Sequence, residues 1–234
     1  MIRLVFMQVL VLTFLGITAS CGIDTIVYLS NDPTLRSSDA SALVFSGPDS
    51  GDASYLGVEI FYRIYASASD ADADRGNVVS RQTATNAVPG SIVESYLANS
   101  SGLNYHKPVL KDTAGIPTVR IPAIRSTELP SVAYYASIDF PSASNTEPTI
   151  TIVNGDTSVS TGYTLMRNVS DSAGVYRTFR DEPRSGDSDY RSNSSDTDGE
   201  YFVQFFATSY GLDFFDFTEL FGDAVYLGRI TLNF

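Results

Sequence analysis

From Tyr55 to Tyr65 the chain reads Tyr-Leu-Gly-Val-Glu-Ile-Phe-Tyr-Arg-Ile-Tyr, and its apolar residues alternate. Leu56, Val58, Ile60, Tyr62 and Ile64 fall on one side of an extended chain, with Glu59 and Arg63 on the other. A repeat of two fits a β-strand and not a helix, whose faces repeat every 3.6 residues. Such a strand is expected to bury one face and leave the other at least partly wet. Similar signals recur at Thr25–Leu29, Ala42–Ser46, Thr118–Ile121, Val132–Asp139, Thr149–Val153, Gly162–Met166, Val175–Phe179, Glu200–Ser209 and Ala224–Phe234. Gly, Pro, Asn, Asp and Ser punctuate the gaps. No amphipathic helix of about 10–15 residues is evident between the strands, which argues against βαβ units. The expected fold class is all-β, an antiparallel β-sandwich of immunoglobulin- or fibronectin-like type, with long loops and one or two short helices.

The helix signals are local. Ser91-Ile92-Val93-Glu94 matches a capping box, with Gly102 beyond the end. Asp216-Phe217-Thr218-Glu219 places an aspartate in the cap role, with Gly222 as a stop. Two segments, 66–86 and 181–199, are rich in Ala, Ser, Asp, Thr or Arg. Such polar stretches bury too little apolar surface to offset the entropy of ordering, so both are expected to be long mobile loops.

The chain has one cysteine, Cys21, after Ile17-Thr18-Ala19-Ser20 at the end of an apolar leader. Arg3 provides a positive start, Leu4–Ile17 an apolar stretch and Thr18-Ala19-Ser20 a small-residue cleavage zone. The stretch is about 14 residues, shorter than the roughly 20 that span a bilayer. The expected arrangement is a lipoprotein signal peptide over 1–20, with Cys21 as the lipidated first residue. Residues 21–40 follow as a tether containing a possible first strand, and 41–234 as a single β-sandwich domain. The alternatives are ordinary cleavage near Ala19 or Ser20 with a free thiol, and an uncleaved anchor. Gly22, where an aspartate would hold many lipoproteins at the inner membrane, favours the outer membrane. With its one cysteine used for lipid, the domain has no internal disulfide and must rely on its core. The 14 Tyr and 14 Phe can supply one.

A formal charge of −12 makes nucleic acid and anionic headgroups poor partners. Asp70-Ala71-Asp72-Ala73-Asp74 has the alternating carboxylates of a calcium loop. Arg75 stands where the turn glycine belongs, however, and Arg81 where the bidentate acid belongs. Asp187, Asp189, Asp196 and Asp198 lack ligand spacing. Gly186-Asp187-Ser188 resembles the start of an esterase block of the GDSL type, but the single histidine, His106, lies upstream of Ser188. His106 reads as a loop or strand-edge residue. Glu59, Glu94 and Glu219 have no spacing that marks a glycosidase pair. No catalytic residue, metal site or cofactor is assigned. The alternation of Tyr226, Gly228, Ile230, Leu232 and Phe234 also fits the closing strand of a small outer-membrane barrel.

Tyr55–Tyr65, Tyr201–Gly211 with Val225-Tyr226-Leu227-Gly228, and Cys21-Gly22-Ile23-Asp24 together resemble uncharacterised β-rich lipoproteins of spirochaetes, treponemes especially. Thr18, where Leu, Val or Ile is usual, fits the relaxed lipobox of that group. The resemblance implies location and fold class and carries over no catalytic residue. The expected function is an envelope or surface lipoprotein with a non-catalytic binding or structural role. It would be held to the membrane by the lipid on Cys21 and have a protein or glycan partner. The alternatives are a carbohydrate-active enzyme of the envelope and the barrel. Tyr190, Phe214 and Phe215 are candidates for an exposed aromatic patch, although packing in the core is the commoner fate of such rings.

Overall fold

The computed structural model describes residue 29 and residues 32–48, 54–84, 86–115, 117–118, 121–122, 135–142, 146–153, 160–169, 176–192 and 199–234. The leader, Cys21 and most of the strand expected over Thr25–Leu29 lie outside the described residues. Of the described residues, 46% are strand and 14% helix. In order it forms β1 (Thr34–Ser38), β2 (Ala42–Ser46), β3 (Tyr55–Tyr65), α1 (Ala68–Gln82), a π-helical turn over Val93–Leu97, β4 (Val109–Lys111), β5 (Pro117–Thr118) and β6 (Ile121–Pro122). It continues with β7 (Tyr135–Asp139), β8 (Thr149–Val153), β9 (Ser160–Asn168), β10 (Tyr176–Thr178), β11 (Tyr190–Arg191), β12 (Glu200–Leu212), β13 (Glu219–Phe221) and β14 (Val225–Asn233).

These strands form two sheets, not a barrel. The first has eight strands in the order β1-β2-β7-β8-β9-β4-β5, with β10 also on β9. The second has six, β11-β3-β12-β13, with β14 on β12 and β6 on β3. Pairing among the described strands is antiparallel except for β11 with β3. The barrel alternative is thereby corrected, because the described strands form two sheets whose facing sides pack against each other. Leu43, Phe45, Ile138, Ile150 and Leu165 of the first sheet pack with Val58, Ile60, Tyr62, Ile64, Val203, Phe205 and Ile230 of the second. Rings mesh at the centre of this layer. Tyr62 meets Phe179 edge-on at 5.0 Å, and Phe140 meets Phe179 at 5.5 Å and Phe205 at 5.9 Å. Each buried ring removes on the order of 150–250 Å² from water, so aromatic packing can hold the two sheets together without disulfides.

The expectation that β3 keeps one face wet is corrected. Phe61 and Tyr65 on that face are fully buried, as are Phe206 and Tyr210 of β12. They are covered by α1 through Ala71 and Val78, and by Val93, Leu97, Leu103 and Tyr105. The fold is therefore sheet, sheet, then helix, and segment 66–86 is largely helix where a mobile loop was expected. The helix stripe is narrow, with only Ala71, Asp74 and Val78 buried. Polar and ring contacts supply the rest. Asp74 accepts hydrogen bonds from Tyr65 (3.0 Å) and Arg191 (2.7 Å). The Arg75 guanidinium lies 4.2 Å from the centre of the Tyr226 ring and that of Arg81 3.8 Å from Tyr96. Asp70 in the first turn and Arg81 in the last suit the helix dipole.

Other boundaries shift for local reasons. Ser91 and Ile92 lead into the π-helical turn, but the expected capping box does not form: the turn has no side-chain cap, and the Ser91 hydroxyl donates back to the Val88 carbonyl at 2.7 Å. The helix expected from Asp216 is instead a hairpin turn followed by β13. The strand expected over Thr118–Ile121 divides into β5 and β6, which pair in different sheets. β1 is exposed at every position, so no apolar period marks it, and its pairing with β2 makes it the edge of the first sheet.

Candidate functional site

Three places concentrate chemistry. The first is a buried ion cluster that binds the sheets together. Along β9 the inward positions run Tyr163, Leu165, Arg167, so an arginine continues the core-facing parity. Its side chain is wholly buried. The segment after β10 returns over it. Arg167 donates to both Asp189 oxygens, from Nε at 3.0 Å and from Nη2 at 2.9 Å. Nη2 also reaches Asp187 at 2.8 Å, and Nη1 the Asp181 carbonyl at 3.1 Å. Arg177 pairs with Asp187 at 3.0 Å, so two carboxylates face two guanidiniums. From the second sheet, Tyr62 Oη donates to Asp189 at 2.6 Å and accepts from the Asn168 N–H at 2.7 Å. Burial, then the Asp189 charge, pushes the Tyr62 phenol well above its ordinary range, so it remains a donor. Burial opposes charge on Arg167, yet the hydrogen bond and charge of Asp189 outweigh it and raise its pKa.

This geometry corrects the reading of 181–199 as mobile over its described part, residues 181–192 and 199. The backbone continues into the second sheet, where Ile64 N–H donates to the Asp189 carbonyl at 2.9 Å and β11 pairs with β3. Ser188, the serine of the esterase-like motif, sits between the two ion-paired aspartates, and its carbonyl accepts from the Asn104 side chain at 3.2 Å. His106 is buried and exchanges backbone hydrogen bonds with Tyr62 at 2.8 and 2.9 Å, in keeping with a strand-edge role. The alternating aspartates 70, 72 and 74 lie on α1, with Asp72 paired to Arg229 at 3.0 Å. Among the described residues no group of three or more His, Cys, Asp or Glu is placed to hold a metal ion.

The second place is a cleft of about 540 Å³ between the β1–β2 turn, the end of β7, the end of β10 and β14. Phe140 and Phe179 give it an aromatic floor, with Ser41, Arg180, Leu232 and Phe234 around them. Arg180 is already engaged, since Nε and Nη2 donate to the Thr146 carbonyl at 2.9 and 2.8 Å and Nη2 also to that of Pro141. Among the described residues lining the cleft no side chain is a carboxylate.

The third place is the turn joining β12 to β13. Phe214 is 54% exposed, Phe215 99% and Phe217 72%. The commoner fate, burial in the core, is thus corrected for Phe214 and Phe215, whereas Tyr190 is half-buried and packs on Tyr201 at 5.7 Å. The turn is tightly built. Phe217 N–H donates to the Asp213 carbonyl at 2.8 Å and Asp213 N–H to the Thr218 carbonyl at 2.9 Å. The Asp213 and Asp216 carboxylates accept from the N–H groups of Phe215 (2.8 Å) and Thr218 (2.9 Å). The Thr218 side-chain and backbone donors hold the Asp216 carboxyl below its ordinary pKa. These aspartates, which suggested a helix cap, close a turn by the same side-chain-to-backbone chemistry. In comparisons with known proteins, no family model, curated protein or solved structure matches the chain.

Proposed function

We propose that the chain is an envelope lipoprotein, anchored through lipid on Cys21, whose β-sandwich has a non-catalytic binding or structural role toward a protein or glycan partner. The observation that carries the non-catalytic reading is the state of the buried acids. Among the described residues these are Glu59, Asp74, Asp187 and Asp189. Each has a cation against it: Lys107 at 2.5 Å, Arg191 at 2.7 Å, Arg167 and Arg177 at 2.8 and 3.0 Å, and Arg167 at 2.9 Å respectively. A glycosidase needs one acid held protonated and a second facing the same groove. Carboxylates fixed on guanidiniums and turned into the core suit stability better than proton transfer. The half-exposed Phe234 ring at the cleft supports a binding role, since a ring presents apolar area at low entropic cost.

The anchoring part of the proposal rests on the leader and Cys21, and the spirochaete-like wording of β3 and β12 agrees with it. The narrower immunoglobulin- or fibronectin-like assignment is likewise a proposal. Two face-to-face antiparallel sheets support it, while eight and six strands exceed the seven to nine of those folds. The test of the non-catalytic reading is incubation of the full chain with a panel of envelope glycans. We expect retention of a subset on the protein without release of new reducing ends. Turnover that disappears on replacing a single Asp or Glu would replace this reading with the enzyme alternative.

A further inference from the structure

We propose that the Phe214–Phe217 turn inserts into the bilayer that carries the Cys21 lipid, fixing the domain's orientation on the membrane. This inference rests on the lipid-anchor reading and adds a second membrane contact to it.

The position of the N-terminal segment carries the argument. Leu29 is buried in a small cluster with Tyr55 and Leu220, at the end of the second sheet where the β12–β13 turn projects. The Asp223 N–H donates to Asp32 at 2.8 Å. A methyl group added at Gly211 would stand 3.1 Å from Leu29 Cδ1, and one at Gly222 2.5 Å from Asp32 Oδ1. The incoming chain is thus clamped against both arms of the hairpin whose tip bears the three phenylalanines. Eight residue steps from Leu29 back to Cys21 reach at most about 28 Å. The tip lies four residues along the chain from Leu220, at most about 14 Å away. Wherever the lipid enters the bilayer, the turn is within reach of the same surface.

The turn itself is costly for a merely structural loop. Phe217 has φ of 62°, a left-handed conformation that a bulky side chain adopts only at a penalty. Its ring and those of Phe214 and Phe215 stay in water instead of the core. The strain and the exposure both oppose folding, and transfer of the rings out of water removes the cost of the exposure. A lipid surface suits the patch because its three rings stand together at the tip of one turn, on the hairpin whose arms hold the segment leading back to Cys21. Asp213, Asp216 and Glu219 beside the rings select a zwitterionic surface over an anionic one.

The chain contains no tryptophan, so Phe215→Trp supplies a single fluorophore at the most exposed position. The full chain carrying this substitution is reconstituted with phosphatidylcholine vesicles, alongside the same chain with Cys21→Ala added from solution. We expect emission to move to shorter wavelength on the lipidated protein and brominated acyl chains to quench it by roughly half or more. In the Cys21→Ala background, the vesicle partition constant should fall about tenfold for each of the three rings changed to serine. Water-like, unquenched emission from protein that floats with the vesicles would overturn the insertion and leave the lipid anchor intact. If neither protein floats, anchoring and insertion fail together. A blue shift before any vesicle is added, with a doubled mass, would overturn it in favour of a second copy as the partner.

Discussion

Arg167→Met is expected to destabilise the folded chain by about 3–5 kcal/mol, read as a fall in the urea midpoint of roughly 1–2 M at unchanged slope. The methionine fills much of the guanidinium's volume, so the loss is electrostatic. Asp189 loses two short contacts to one partner, one on each oxygen, and Asp187 loses one and keeps Arg177 and the Arg184 N–H. A carboxylate left in the core without a cation costs several kcal/mol, whereas a core with no charge there is tolerated. Arg167→Met combined with Asp187→Asn and Asp189→Asn is therefore expected to recover a large part of the loss. If the single change is silent, the cluster does not hold the sheets together and the structural account of Asp187 and Asp189 falls.

The second large effect is expected from Phe205→Ala, about 3–5 kcal/mol in the same measurement. Phe205 is wholly buried and lies among Tyr62 (6.2 Å), Phe140 (5.9 Å) and Phe179 (6.3 Å), so its removal leaves a cavity between sheets that have no disulfide to limit opening. Phe205→Leu should cost about 1 kcal/mol, because most of the volume remains. Phe215→Ala should change stability by no more than about 0.5 kcal/mol, because its ring touches water instead of core. Tyr62 both stacks beside Phe205 and donates to Asp189, so Arg167→Met and Phe205→Ala together should depart from additivity.

The parts of the fold legible in the sequence are those whose burial follows an apolar period. β2, β8, β9 and β14 carry it, whereas β3 and β12 are legible as strands although both of their faces are buried. α1 escaped because it buries two small apolar residues and an aspartate, and takes its hold from Tyr65, Arg191, Tyr226 and Tyr96 on other elements. Composition alone cannot show such partners. The same physics hid segment 181–192, whose acids look solvated until Arg167 is placed beneath them. A usable signal was present: an arginine at a core-facing position of β9 demands a buried counter-charge, although nothing in the sequence says which acid supplies it. The Asp213–Thr218 turn misled because aspartates that cap helices also close turns, while Phe214 and Phe215, candidates for an exposed patch although core packing is the commoner fate, are placed in water by it.

The central claim is that this sandwich is held to a membrane by lipid on Cys21. The direct measurement is growth of cells expressing the full chain with an alkyne-tagged palmitate, followed by purification and intact mass analysis. The account predicts label on the wild-type protein, a mature chain beginning at a diacylglyceryl Cys21, and loss of both in Cys21→Ala. Label that survives Cys21→Ala, or a mature chain in which the Cys21 thiol is free, would contradict it.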